Sequence, residues 1–312
     1  MLILMTLNCA TSAHGPWNSH LTRAYTIFEA ASGLSATLRV PRARAQIEML
    51  VWWDVTLALT SRKGYVMPES YVSRLFADDT AESFYNMSGC PFELFRHMVR
   101  LAQYAREFEL ATTMTCVTFR RDLVLGVERC IREWSAEGYG DVCAAVLRDE
   151  DTGARIVEED RAGGSGTMEE KANARQDLYY CAEAWRYALL LYVERVFKWD
   201  RTRPPSPVLG LIARKTLDHI WSCRRSSMVQ KQLLLPAFLA GCETKDSTLR
   251  ELASDYCAWW TEKTRHEMFA TTSLLLEEVW ASKSEKSWWG SVIDEKSRSG
   301  AVESFPHQYL FG

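Results

Sequence analysis

The chain has 312 residues, 47% of them hydrophobic and 25% charged, the composition of a globular domain large enough to bury an extensive core. With 37 Lys and Arg against 40 Asp and Glu, the formal net charge is -3, which excludes a general electrostatic pull toward nucleic-acid phosphates or anionic lipid. The nine cysteines are odd in number and include no CxxC pair, a pattern of reduced thiols in a cytosolic or nuclear protein and not of a disulfide framework.

Read in chain order, the apolar stretch Met1 to Ala10 has no preceding Lys or Arg and is short, which argues against a secretory leader. No segment reaches the roughly 20 uninterrupted apolar residues of a membrane helix. The basic clusters Arg39, Arg42 and Arg44, Arg120 and Arg121, and Arg224 and Arg225 are short and read as solvated helix faces. Leu94, Met98, Leu101, Ala102, Ala105 and Phe108 recur at helical spacing. Pro91 suits the first turn of that helix, where its missing N–H needs no partner. From Asp149 to Gln176 the chain turns charged and Gly-rich, with Gly163, Gly164, Ser165 and Gly166 in succession. Such a segment buries too little surface to offset its ordering entropy, so a disordered loop is predicted over 149–176; a short hairpin around Asp151 to Gly153 is the weaker alternative.

Leu178 to Trp199 carries Glu183, Arg186, Glu194 and Lys198 within a narrow arc and is otherwise largely apolar. A helix of that pattern is covered by neighbours on most sides, which predicts the central helix of the domain. The prolines 204, 205 and 207 make a stiff connector. After it, Leu209, Ile212, Ala213, Thr216, Leu217 and Ile220 fall at i, i+3, i+4, i+7, i+8 and i+11, one buried face of an amphipathic helix. Leu249, Leu252, Ala253, Tyr256, Cys257 and Trp260 repeat the spacing, with Thr248 and Glu251 offering a capping box. The resulting expectation is an all-α fold, a single domain over 1–312 of on the order of ten packed antiparallel helices, ending in a tail segment over 283–312.

Catalytic signatures are missing from this sequence. HExxH, GxxxxGK[ST], GxSxG and GxGxxG are all absent, and His14, His20, His97, His219, His266 and His307 lack metal-ligand spacing. His219 stands beside Trp221 on a helix whose other face is packed. One cluster has chemical potential: Asp78, Asp79 and Glu82 form D-D-x-x-E, the spacing by which helical isoprenoid synthases hold Mg²⁺ and a diphosphate. The second metal-binding run that such enzymes need is not in the chain. The expectation is therefore no catalytic residues, no metal and no cofactor, with a Mg-dependent isoprenoid synthase as the alternative.

Several separated stretches resemble one family. Leu234-Leu235-Pro236-Ala237-Phe238-Leu239-Ala240-Gly241-Cys242-Glu243-Thr244, then Arg250, then Leu275-Leu276-Glu277-Glu278-Val279-Trp280, is similar in content and order to the fungal-specific transcription factor domain. That domain follows the DNA-binding zinc cluster in many fungal regulators. Trp17-x-x-His20-Leu21 with Ala24, Trp52-Trp53-Asp54-Val55 before Met67-Pro68, Ser88-Gly89-Cys90-Pro91, and the helix from Tyr179 to Val196 agree with the same family. The resemblance runs from about Trp17 to about Ile293.

Each motif also has a local physical reading. Gly241 is a small-residue corner, close-packed and suited to left-handed dihedrals, and Gly89 is the same device at a helix start. Asp54, behind two tryptophans, should be partly buried and hydrogen-bonded. The resemblance implies a nuclear regulatory domain, acting through a small apolar ligand lodged among its 12 tryptophans and 10 methionines, through transcriptional partner proteins, or as a homodimer. The family's six-cysteine zinc module is not matched, since no cysteine lies between Cys9 and Cys90. The expectation is no direct DNA binding by this chain and no membrane contact.

Overall fold

The computed structural model describes residues 12–30, 38, 40–75, 81–114, 116–137, 168–282, 288–299 and 308–311. These are almost wholly helical. The elements are β1 (His14–Gly15), α1 (Trp17–Ala30), α2 (Pro41–Ser61), α3 (Glu69–Leu75), α4 (Ala81–Ser88), α5 (Phe92–Thr113), α6 (Arg121–Glu133), α7 (Met168–Val193), α8 (Pro207–Ser222), α9 (Met228–Lys231), α10 (Leu234–Glu243), α11 (Ser247–Thr264), α12 (Glu267–Ala281), α13 (Trp289–Ser299) and β2 (Gln308–Tyr309). The two short strands pair antiparallel, His14 opposite Tyr309 and Gly15 opposite Gln308. Among the described residues no helix is long and apolar enough to cross a membrane.

The predicted central helix is α7, which lies against α5, α6, α8, α9 and α10. Every residue from Ala188 to Val193 is buried, so no face of this stretch is left to solvent. Trp185 packs edge-on to Trp52 of α2, with ring centroids 5.3 Å apart. The Tyr192 hydroxyl donates to the Leu59 carbonyl at 2.9 Å, so its polar end is satisfied inside the core. After Val193 the helix widens into a π-turn, Glu194–Lys198, closed by the Trp199 amide donating to the Glu194 carbonyl at 3.0 Å. On α8 the buried residues are Leu209, Ile212, Ala213, Thr216, Leu217 and Ile220, the set that the spacing predicts.

Several local expectations need correction. The predicted loop over 149–176 ends earlier, because Met168 to Gln176 are the first turns of α7; its remainder, with the alternative hairpin, lies outside the described residues. The capping box at Thr248 is replaced by Asp246, whose carboxylate accepts the Thr248 amide at 2.9 Å and so starts α11 two residues sooner. Pro91 is the residue before α5 and not its first turn. Within the stretch expected as a tail, Trp288, Trp289 and Ile293 and then Tyr309, Leu310 and Phe311 are buried in the core, and Gln308 accepts the Asn18 amide at the start of α1.

Arg62 ends α2 with φ 56, in the left-handed region, where a non-glycine residue is strained. Its side chain compensates. The guanidinium donates to the carbonyl of Thr60 at 2.7 Å, that of Gly290 at 3.3 Å, and the carboxylates of Glu109 at 3.2 Å and Asp294 at 2.5 Å. This one buried cation ties α2 to α5 and α13.

Asp54, also on α2, is 1% exposed and its carboxylate accepts the backbone amides of Val66 at 2.9 Å and Met67 at 2.6 Å. The motif of two tryptophans, Asp and a later Met-Pro turn is thus one device: the carboxylate folds the turn back onto the helix. Burial pushes this carboxyl up to about 6, against the opposing pull of the two amides. Asp54→Ala leaves both donors unmet, so a loss of about 2 to 4 kcal/mol is expected, measured as a lower urea midpoint with an unchanged slope. A loss below 1 kcal/mol would show that the turn holds without it.

Candidate functional site

The residues of the C-terminal motif, far apart in sequence, come together around a single junction. Gly241 lies inside α10 and not at a left-handed corner, since positive φ among the described glycines is confined to Gly64 and Gly89. Its role is close approach. A Cβ at Gly241 would stand 2.8 Å from Leu276 Cδ2 and 3.1 Å from Ala253 Cβ, so α11 and α12 pack directly on its backbone. Gly89 meets the left-handed expectation with φ 64, and a Cβ there would fall 2.5 Å from Gln232 Cβ. The Trp280 indole of α12 donates to the Gly241 carbonyl at 2.8 Å. Arg250 of α11 donates to the Thr244 carbonyl at 3.1 Å, with its guanidinium 5.2 Å from the Trp280 ring centroid.

These contacts form one side of a cavity of about 550 Å³. The π-turn contributes Arg195, the proline connector and first turn of α8 contribute Pro205, Pro207, Leu209 and Gly210, the end of α10 contributes Glu243 to Lys245, and α12 closes it with Val279 and Trp280. At its base is a buried ion pair. Arg195 Nε stands 3.0 Å from Glu243 Oε1, each side chain only 4% exposed. The contact is one of charge and not of hydrogen bonding: Nε and Nη1 of Arg195 and Oε1 of Glu243 are buried without a hydrogen-bond partner. Trp199 covers the guanidinium, with its ring centroid at 3.9 Å.

Burial dominates the electrostatics of this pair. It pushes the Glu243 carboxyl up to about 7, with Arg195 pulling the other way, and it lowers Arg195, opposed by Glu243. Cys242 beside them is raised by burial well above the usual thiol range, so it is a packed, unreactive sulfur. The other charges around the pair are Lys245, Arg250 and, beyond Arg195, Arg201.

The acidic cluster weighed as a metal site is not assembled into view: Asp78 and Asp79 lie outside the described residues, and of Glu82 only its backbone place in α4 is described. Among the described residues no group of three His, Cys, Asp or Glu side chains is placed to hold a metal ion. His219 stacks on Tyr187 with ring centroids 5.4 Å apart, a packed imidazole whose pKa burial lowers. Cys90, Cys181, Cys223 and Cys257 are buried, while Cys116 and Cys130 are exposed. Arg195 was missed by the sequence reading, although a signal existed. At roughly 100° per residue it projects about 120° from the centre of the charged arc, on the side that the apolar pattern assigns to the core.

Fold and site together define an all-helical domain built around one buried helix, with an interhelical pocket where that helix ends. The family model for the fungal specific transcription factor domain matches residues 1–299. The chain belongs to this family, and its role is regulatory, in transcription. No curated protein and no solved structure matches the chain.

Because the folded state raises the Glu243 pKa from 4.5 to about 7, it favours the protonated carboxyl. The stability this group contributes is full below about pH 4.5 and lost as pH rises through about 7. Asp54 shifts in the same direction and His219 in the opposite one, so the difference between parent and Glu243→Gln isolates the site. That difference should change by on the order of 3 kcal/mol between pH 4.5 and 8, read from urea unfolding at stepped pH. A flat difference would mean that the carboxyl is solvated.

Proposed function

We propose that this chain is a regulatory and effector domain that senses a small molecule in the pocket between Arg195 and Trp280 and passes its occupancy to partner proteins. It acts in the nucleus, performs no catalysis, and makes no sequence-specific DNA contact of its own. The observation that carries this reading is the convergence of the C-terminal motif on one cavity. Gly241, Glu243, Arg250 and Trp280 come from three helices, yet all shape or line it, and pockets between packed helices are common sites for small ligands.

The net charge of -3 supports a partner other than nucleic acid. An outward surface for proteins is available on the helix that also lines the pocket. Leu209 and Gly210 line the cavity, while their neighbours Val208 and Leu211 are exposed, 43% and 64%. Occupancy therefore bears on the helix that presents apolar side chains outward.

Gly210 provides a clean test, since it lines the cavity and a Cβ there meets nothing within 4 Å, so a larger side chain alters the cavity mouth without a backbone clash. With the chain tethered to an unrelated DNA-binding module in a fungal host, Gly210→Phe should change reporter output by about fivefold or more, the lower end of ordinary allosteric coupling. Equal output from parent and variant, at equal protein levels, would remove the pocket from the regulatory mechanism.

A further inference from the structure

We propose that the pocket binds a small organic carboxylate with an apolar body, the carboxylate taken by Arg195 with Lys245 and Arg250, and the body lying against Trp280, Val279 and Pro207. The inference rests on the reading of this cavity as a ligand site, and names the chemistry of what enters it.

Arg195 carries the argument. A guanidinium has five donors in a planar fork that matches a carboxylate bidentately, and here Nε and Nη1 are buried with no acceptor. Glu243 supplies charge at 3.0 Å but no hydrogen bond. The protein thus desolvates this cation and leaves the acceptors to be supplied. Buried donors without partners are rare in folded chains, and the residue that carries these two is part of the cavity wall.

The balance of charge selects the sign of the ligand. Arg195, Lys245 and Arg250 line the cavity against Glu243 as the facing carboxylate, so a cation would meet net repulsion and a neutral body would leave the guanidinium unmet. The first turn of α8, which includes the lining residues Pro207, Leu209 and Gly210, adds the partial positive end of a 16-residue helix. Pro207, Leu209, Val279 and Trp280 give the remaining wall its apolar area, with the hydroxyls of Ser206, Thr244 and Ser282 between them. A volume of about 550 Å³ lies in the range of small-molecule pockets and has room for a single-ring or branched-chain acid.

The test uses the purified full chain and two probes that differ in charge but hardly in shape, 4-fluorobenzoate and 4-fluorobenzamide, followed by fluorine NMR line broadening. The expected result is saturable binding of the benzoate, about tenfold or more tighter than the amide. Arg195→Gln should abolish that preference. Gly210→Phe should abolish binding while leaving every charge in place, and unchanged melting temperature in this second variant keeps the result independent of folding. Equal affinity for both probes, lost in Gly210→Phe, would overturn the carboxylate assignment while leaving a ligand pocket standing. Absence of binding by either probe would also overturn it, and the tethered reporter then decides separately whether the pocket regulates. Benzoate binding that survives Gly210→Phe would place the acid elsewhere and overturn the inference outright.

Discussion

The near-complete enclosure of the C-terminal half of α7, from Cys181 to Val193, is the constraint from which the rest of the molecule follows. A helix covered on all sides needs neighbours on all sides, and α5, α6, α8, α9 and α10 supply them. Such a helix cannot run on indefinitely, because charged side chains toward its end must reach water or partners. The π-turn resolves this at Glu194–Lys198. One extra residue in the turn accompanies a split in the charges: Glu194 and Lys198 pair at 2.9 Å beside Glu128 of α6, while Arg195 stays within the interior. The widened turn and the buried cation are two aspects of one local choice.

Two buried arginines differ in how the interior compensates them. Arg62 and Arg195 are equally enclosed, at 3% and 4% exposure, and both lie near tryptophan rings. Arg62 donates to two carbonyls and two carboxylates, as a structural cation must if its desolvation is to be compensated. Arg195 has charge contact with Glu243 but no acceptor for Nε or Nη1. Both side chains occupy the same kind of environment, and what separates them is hydrogen bonding. The motif around Glu243 is architectural in most of its parts, with Gly241 permitting close packing and Trp280 closing on it, and Glu243 stands beside the cation at its end.

Much of the fold was legible because burial imposes periodicity. The six core positions of α8, the face of α5 and the enclosure of α7 are all written as spacing, and the family motifs fixed the order of the remaining helices. What spacing could not convey is pairing at a distance. Arg195 stands out as a charge on the apolar side of its helix and Glu243 belongs to a motif, but nothing near either one indicates the other. The partners of Asp54 are backbone amides of Val66 and Met67, which have no residue identity to read. Gly241 was recognised as a corner, but the distinction between a turn and a close approach lies in Leu276 and Ala253 on two other helices. Asp246 displaced the capping box at Thr248 because two acceptable caps stood two residues apart, and only the approach of the chain from α10 decides between them.

A ligand shifts a regulatory domain only if its binding energy differs between two arrangements of the protein, and the surroundings of Arg195 provide a route for such a difference. Trp288, the residue before α13, is shared by three guanidinium groups, those of Arg62 at 4.9 Å, Arg201 at 5.0 Å and Arg195 at 5.7 Å from its ring centroid. Arg62 and Arg201 are both held by Glu109 of α5, so they are fixed, whereas Arg195 is the member without hydrogen-bonded acceptors. Under the proposal, turning Arg195 toward a carboxylate in the cavity would draw it away from Trp199 and Trp288 and leave Glu243 to take up a proton. Trp288 leads into α13, which docks on α2 through Arg62 and Asp294. On the proposed reading of the pocket, occupancy would be coupled to the seating of α13 through the Trp288 ring and a cation whose Nε and Nη1 have no acceptor.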